Sequence, residues 1–123
     1  MAPTFGEYFA ELRRERAGVS LRRFCKEHGF DPGNISKMER GRLSPPRSRE
    51  KIEEYALALG VAEGSDEWYE LFDLASAARG EIPQEIMSDA ELVGKLPTVF
   101  RTLRGDRVSE EELDELLDKL RKA

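Results

Sequence analysis

Residues 20–41 run SLRRFCKEHGFDPGNISKMERG, and their spacing decides the fold. Ser20 has a hydroxyl suited to capping the helix after it, and Leu21, Phe24 and Cys25 then recur along one helical face. Gly29 stops that helix, because glycine takes up the left-handed backbone that ends a helix without strain. Asp31-Pro32 starts another: a carboxylate to hold the first free N–H groups, then a proline where its missing N–H costs nothing. Ile35 and Met38 give this second helix one apolar edge, and Gly41 closes it. Two short helices joined by a turn of three or four residues are expected here.

The same signals extend outward. Thr4-Phe-Gly-Glu7 reads as a capping box, and Phe5, Tyr8, Phe9 and Leu12 follow at helical spacing until Gly18 ends the helix near Arg16. Ser44-Pro45-Pro46 is expected to open a fourth helix with Ile52, Tyr55, Ala56 and Leu59 inward, closed by Gly60. Ser65 caps a fifth, carrying Trp68, Leu71, Phe72 and Ala75 in register as far as Gly80. Ser88-Asp-Ala-Glu91 is a capping box for a sixth, which Pro97 should kink or split after Leu96. Ser109-Glu-Glu-Glu112 caps a last helix with Leu113, Leu116, Leu117 and Leu120 in one apolar stripe. No window alternates with period two for long enough to make a strand. The chain therefore reads as all-α: a five-helix domain over residues 1–80, then an acidic helical extension over residues 81–123 that is expected to serve dimerisation or partner binding.

Composition narrows the function. The 123 residues are 39% hydrophobic and 37% charged, enough for a core surrounded by solvated helix faces. No apolar stretch approaches the ~18–20 residues that span a bilayer, and the N-terminus lacks the basic and apolar regions of a signal peptide. One cysteine, Cys25, excludes an internal disulfide, and a single histidine, His28, leaves too few ligands for a metal cluster. A cytoplasmic protein without metal or cofactor is expected. The net charge of −5 hides an asymmetry: residues 1–50 carry 11 Lys/Arg against 7 Asp/Glu, and residues 51–123 carry 9 against 18. Phosphate binding depends on where cations cluster, so the first half is the place for a nucleic-acid partner.

Two helices joined by so short a turn lay the second across the major groove of double-stranded DNA while the first crosses the backbone. With Ile35 and Met38 inward, the second helix presents Pro32, Gly33, Asn34, Ser36 and Lys37, with Arg40 just beyond. Arg22, Arg23, Arg42, Arg47 and Arg49 surround it, and the planar, permanently charged guanidinium suits phosphate. These residues resemble a family. Leu12-Arg-Arg-Glu15, Gly18-Val-Ser20, Gly29 and Asn34-Ile-Ser-Lys-Met-Glu-Arg-Gly41 are similar to the lambdoid phage repressor and Cro helix-turn-helix proteins, the Xre family, over roughly residues 5–60. The resemblance implies a lambda-repressor-like domain in which Arg14 and Glu39 form a buried ion pair tying the first helix to the third. It also implies that Ser20 and the N–H groups of the second helix hold one phosphate, that Arg40, Arg42 and Arg47 hold others, and that Asn34, Ser36 and Lys37 face bases. Two positions depart from the family pattern. Leu21 stands where relatives have a phosphate-touching glutamine, and Pro32-Gly33 where they often have base-reading amides, so direct readout rests on few side chains and DNA shape supplies the rest.

The expected function is a sequence-specific transcriptional regulator, a repressor that binds an inverted repeat as a homodimer through residues 32–40. An alternative of another class is an antitoxin-like protein whose acidic C-terminal half binds a toxin or other regulator while the N-terminal half represses its own operon. A third is an adapter that has lost DNA binding. An enzyme is not expected: Glu39 beside an arginine is a structural group, with neither nucleophile nor base nearby. Cys25 reads as a small buried hydrophobe, and His28 as a helix C-terminal residue favoured by the dipole. Trp68, Tyr69, Phe72, Val99, Phe100 and Leu103 read as core rather than a ligand cage.

Overall fold

Each helix of the N-terminal half begins where a side-chain oxygen can hold a free backbone N–H and ends at or beside a glycine. The computed structural model describes residues 3–104, 111 and 114. Thr4 caps α1 (Phe5–Leu12) in a full capping box, its hydroxyl accepting the Glu7 N–H while the Glu7 carboxylate accepts the Thr4 N–H. Those bonds hold the Glu7 carboxyl below its ordinary range. The helix runs on into one π turn, Arg13–Ala17, which ends at Gly18 with its N–H bonded to the Arg13 carbonyl at 2.9 Å. Ser20 caps α2 (Leu21–His28), Asp31 caps α3 (Pro32–Glu39) and Ser65 caps α5 (Asp66–Ala78), as their spacing predicts.

Two helix starts differ from expectation. α4 (Arg49–Leu59) begins after Ser48, whose hydroxyl accepts the Lys51 N–H at 3.2 Å, and not at Ser44-Pro45-Pro46. A proline disfavours helical backbone in the residue before it, so Pro46 keeps Pro45 extended. Pro45 is instead buried, and the Pro46 carbonyl accepts a hydrogen bond from Arg79. Beyond the short α6 (Gln84–Met87), which has no apolar periodicity to announce it, α7 (Ala90–Arg104) is capped by Asp89 and not Ser88. The Asp89 carboxylate accepts the N–H groups of Glu91 and Leu92 at 3.0 and 3.2 Å. Pro97 neither ends nor splits α7, which is a single helix through it. Proline deletes only one ladder bond, and here it does so on an exposed face. Ser109 and Leu113, Leu116, Leu117 and Leu120 lie outside the described residues. All described elements are helical, so the molecule is all-α with an N-terminal helix-turn-helix.

The chain divides into two compact units, Met1–Glu81 and Ile82–Ala123. In the first, α1 to α5 enclose Phe9, Phe24, Leu59 and Leu71, none of them more than marginally exposed. Phe9 lies edge-on to Phe24 and Tyr55 at 5.8 and 5.3 Å between ring centroids, and Phe30, from the turn after α2, meets Tyr55 edge-on at 5.1 Å. Each buried ring contributes about 1.5–3 kcal/mol by leaving water. Trp68 belongs to this core and Phe72 packs against it, whereas Tyr69 is half exposed. In the second unit α7 buries none of its residues, and the core expectation fails for Phe100 and Leu103, which are exposed with Ile86 and Met87; Val99 is only half-buried. A stripe at helical spacing buries itself only where a second element covers it.

One close approach between helices is made at a glycine. A Cβ on Gly6 would sit 2.1 Å from the Met38 carbonyl oxygen and 2.8 Å from that of Glu39, so α1 rests directly on the last turn of α3. Gly6→Ala is expected to force the two backbones apart and destabilise the domain by about 1–3 kcal/mol or more, read as a lowered urea midpoint.

Candidate nucleic-acid interface

The orientation of α3 is set from below by a charge. Glu39, at the end of α3, meets Arg13 through two hydrogen bonds, Nε to Oε2 at 2.8 Å and Nη2 to Oε1 at 3.1 Å, and Arg13 Nη1 also donates to the Val19 carbonyl at 3.0 Å. Both side chains are about nine-tenths buried. The expected partner, Arg14, is exposed and makes no ion pair among the described residues. Helical geometry explains the correction: residues advance by about 100°, so Arg13 lies one turn beyond Phe9 on the inner face, and Arg14 is carried round to solvent. The apolar spacing contained that signal, since Phe9 and Arg13 stand in the i, i+4 relation of one face.

Between α2 and α3 the turn is three residues long. Gly29 has φ 71°, and its N–H and that of Phe30 both bond to the Cys25 carbonyl. Phe30 drops into the aromatic cluster, and Asp31 caps α3 with one oxygen, Oδ1, accepting from Gly33 at 2.8 Å and Asn34 at 3.4 Å. Ile35 and Met38 are buried as expected, so the opposite side of α3 faces outward. Pro32, Gly33, Asn34, Lys37 and Arg40 are exposed and Ser36 is half-buried. Arg40 Nε donates to the Ser36 carbonyl at 3.3 Å, closing over the end of α3.

The candidate phosphate-binding groups are brought together in part. Ser20, Arg22, Arg23, Lys26 and Glu27 line one open concavity along α2. The Ser20 hydroxyl accepts the Arg23 N–H at 3.2 Å. Arg42 and Arg47 are exposed on the loop after α3. Arg22, Lys26, Lys37, Arg40, Arg42 and Arg47 have no acidic partner among the described residues. Two arginines of the expected ring are otherwise engaged: Arg23 Nε bonds to Glu27 at 2.8 Å, and Arg49 pairs with Glu53 while its guanidinium lies 5.5 and 5.0 Å from the Trp68 and Phe72 rings. Leu21, an apolar residue where the family pattern has a polar phosphate contact, packs half-buried against the core.

Cys25 and His28 are accounted for by packing. Cys25 is buried and burial pushes its thiol up, as a packed hydrophobe requires. His28 is the last residue of α2 and lies over Phe24 at 4.9 Å. Among the described residues no group of three His, Cys, Asp or Glu side chains could hold a metal ion, and no helix is long and apolar enough to cross a membrane.

A helix capped by serine, a three-residue turn through a left-handed glycine, and a second helix with its outer face bare define a helix-turn-helix protein. The sequence matches the helix-turn-helix domain family over residues 4–67, half of the chain, and the protein belongs to that family, which supports a DNA-binding regulator. No curated protein and no solved structure matches it significantly.

The buried pair gives a direct comparison. Arg13→Ala or Glu39→Ala strands a buried charge and should cost about 3–5 kcal/mol. Arg14→Ala should stay within about 0.5 kcal/mol of the wild type in the same urea titration.

Proposed function

We propose that this protein is a sequence-specific transcriptional regulator of the lambdoid repressor and Cro type, acting in the cytoplasm as a homodimer that represses by covering an inverted repeat. The observation that carries the reading is the outer face of α3: exposed, free of bulky apolar groups, and bordered by cations without acidic partners among the described residues. Lys37 and Asn34 read base edges, guanine and adenine respectively, with Ser36 beside them. Pro32 and Gly33 allow close backbone approach. Ser20 and Arg22 at the start of α2, with Arg40, Arg42 and Arg47 after α3, hold phosphates on either side. No catalytic role is assigned to any residue.

A homodimer is supported by the second unit, where Ile86, Met87, Phe100 and Leu103 remain exposed within a short stretch of chain; in the first unit Leu43, Leu57 and Tyr69 are exposed as well. Exposed apolar surface of this kind marks an interaction site. It also supports the second reading, in which an antitoxin-like C-terminal half binds a partner protein there.

Phosphate contacts carry no sequence information, and base contacts do, so two sets of variants separate them. Arg40→Ala and Arg42→Ala should weaken binding to selected and scrambled duplexes alike, each lowering the salt slope by about one per lost contact. Lys37→Ala and Asn34→Ala should cost about 1–3 kcal/mol on the selected duplex and little on the scrambled one. Fluorescence titrations at two salt concentrations measure both, and four variants indistinguishable from wild type would leave only an adapter role. For assembly, sedimentation of the full chain should show a dimer at roughly tens of micromolar, and truncation after Gly80 should give a folded monomer with much weaker DNA binding. A full-length monomer, alone and on DNA, rules out the dimer.

A further inference from the structure

We propose, resting on the DNA-binding reading above, that Asp31 is a specificity-determining residue whose carboxylate accepts a hydrogen bond from the exocyclic amine of a cytosine in the major groove. The helices α2 and α3 begin in opposite chemistry. Ser20 caps α2 with a neutral hydroxyl, and Arg22 and Lys26 share its concavity without acidic partners among the described residues, while Arg23 is held by Glu27, so two cations there remain free for phosphate. Asp31 caps α3 with a negative charge, and its Oδ1 already takes the Gly33 and Asn34 N–H groups that an anion would need. A phosphate is repelled there. The residue is nevertheless exposed, and Oδ2 has no donor among the described residues.

The next two residues of the chain sharpen the role of Asp31. Pro32 and Gly33 are exposed and bring no polar side chain, so Asp31 is the leading polar group of a helix whose N-terminal residues are the ones that meet base edges. An ionised carboxylate only accepts hydrogen bonds. In the major groove guanine offers O6 and N7 and thymine O4, all acceptors, and these are disfavoured. Adenine sets its N6 donor beside the N7 acceptor, which opposes the second carboxylate oxygen, whereas cytosine presents the N4 donor alone. The free oxygen of Asp31 therefore selects cytosine, and the fixed Oδ1 bonds hold it in place while it does so.

Asp31→Asn and Asp31→Ser both keep a good capping residue, so helix α3 survives in either variant and thermal unfolding confirms it. The full-length wild type and both variants are used to select bound sequences from random duplexes. Each is then titrated against the wild-type-selected duplex and against the three duplexes with another base at the assigned position. Wild type should prefer cytosine at one position per half-site by about tenfold. The Ser variant should lose that preference, and the Asn variant should lose it or turn to adenine. Both should bind scrambled duplex more tightly at low salt, because a charge that repels phosphate has gone. If both variants select the same base as wild type at every position, Asp31 is a cap and the inference is overturned. A wild type that binds no duplex at any salt is a different result, and removes the DNA-binding reading itself.

Discussion

The bond between Arg13 and Glu39 is the constraint on which the rest depends. An eight-residue helix such as α3 is not stable by itself in water, so its existence and its direction both come from what it rests on. Burying two charges is costly, and the cost is offset only because the guanidinium fork meets the carboxylate through two bonds and gives a third to the Val19 carbonyl. Such a pair tolerates little rotation. Once Glu39 points at Arg13, Ile35 and Met38 must face the core, and Gly33, Lys37 and Arg40 must face away from it. The charge pair thus fixes which side chains the domain can offer to a partner.

Two further contacts make that orientation rigid along the whole helix. At its C-terminal end α3 lies so close to α1 that only the hydrogen of Gly6 fits beneath the Met38 and Glu39 carbonyls. At its N-terminal end the chain enters through Phe30, held by Tyr55 and Phe24, and through the Asp31 cap. Because the first helix carries Gly6 and continues into the turn that holds Arg13, it supports α3 by steric contact at one point and by charge at another. Aromatic edge-to-face packing then ties α1 to α2 and α4 through Phe9, so the supporting helix is itself fixed.

Most of this is legible in the sequence where one residue type has one physical role. Ser20, Asp31 and Ser65 cap helices because a short side chain ending in oxygen reaches a free N–H, and Gly29 turns because no other residue does so at little cost. Expectation and structure part where two neighbours offer the same chemistry. Arg13 and Arg14 are both arginine and only the helix face distinguishes them, Ser44 and Ser48 are both serines able to cap and only the prolines after Ser44 distinguish them, and Ser88 and Asp89 both can cap. Gly6 is invisible for another reason, since its importance lies in a backbone contact 32 residues away that no local pattern reports. In α7 the amphipathic pattern is real but the burial expected from it is not, because periodicity says which face is apolar without saying what covers it.

The distribution of paired and unpaired charge ties fold to function more closely than net charge does. Several cations away from α3 are neutralised within the molecule, Arg16 by Glu67 across the first helix and α5, Arg49 by Glu53, Lys51 by Glu54 and Arg79 by Glu81, whereas Arg14 on the first helix and Lys95, Arg101 and Arg104 on α7 have no acidic partner among the described residues. On α2, on α3 and in the loop after it the unpaired cations are clustered: Arg22, Lys26, Lys37, Arg40, Arg42 and Arg47 have no such partner among the described residues, and Arg23 alone is held, by Glu27. Exposed pairs contribute little to stability, so nothing in the fold itself requires this division. Within the first unit, cations left without partners near α3 favour phosphate there. Net charge, −5 for this chain, therefore does not by itself argue against an anionic partner, since local clustering of cations decides where phosphate is favoured.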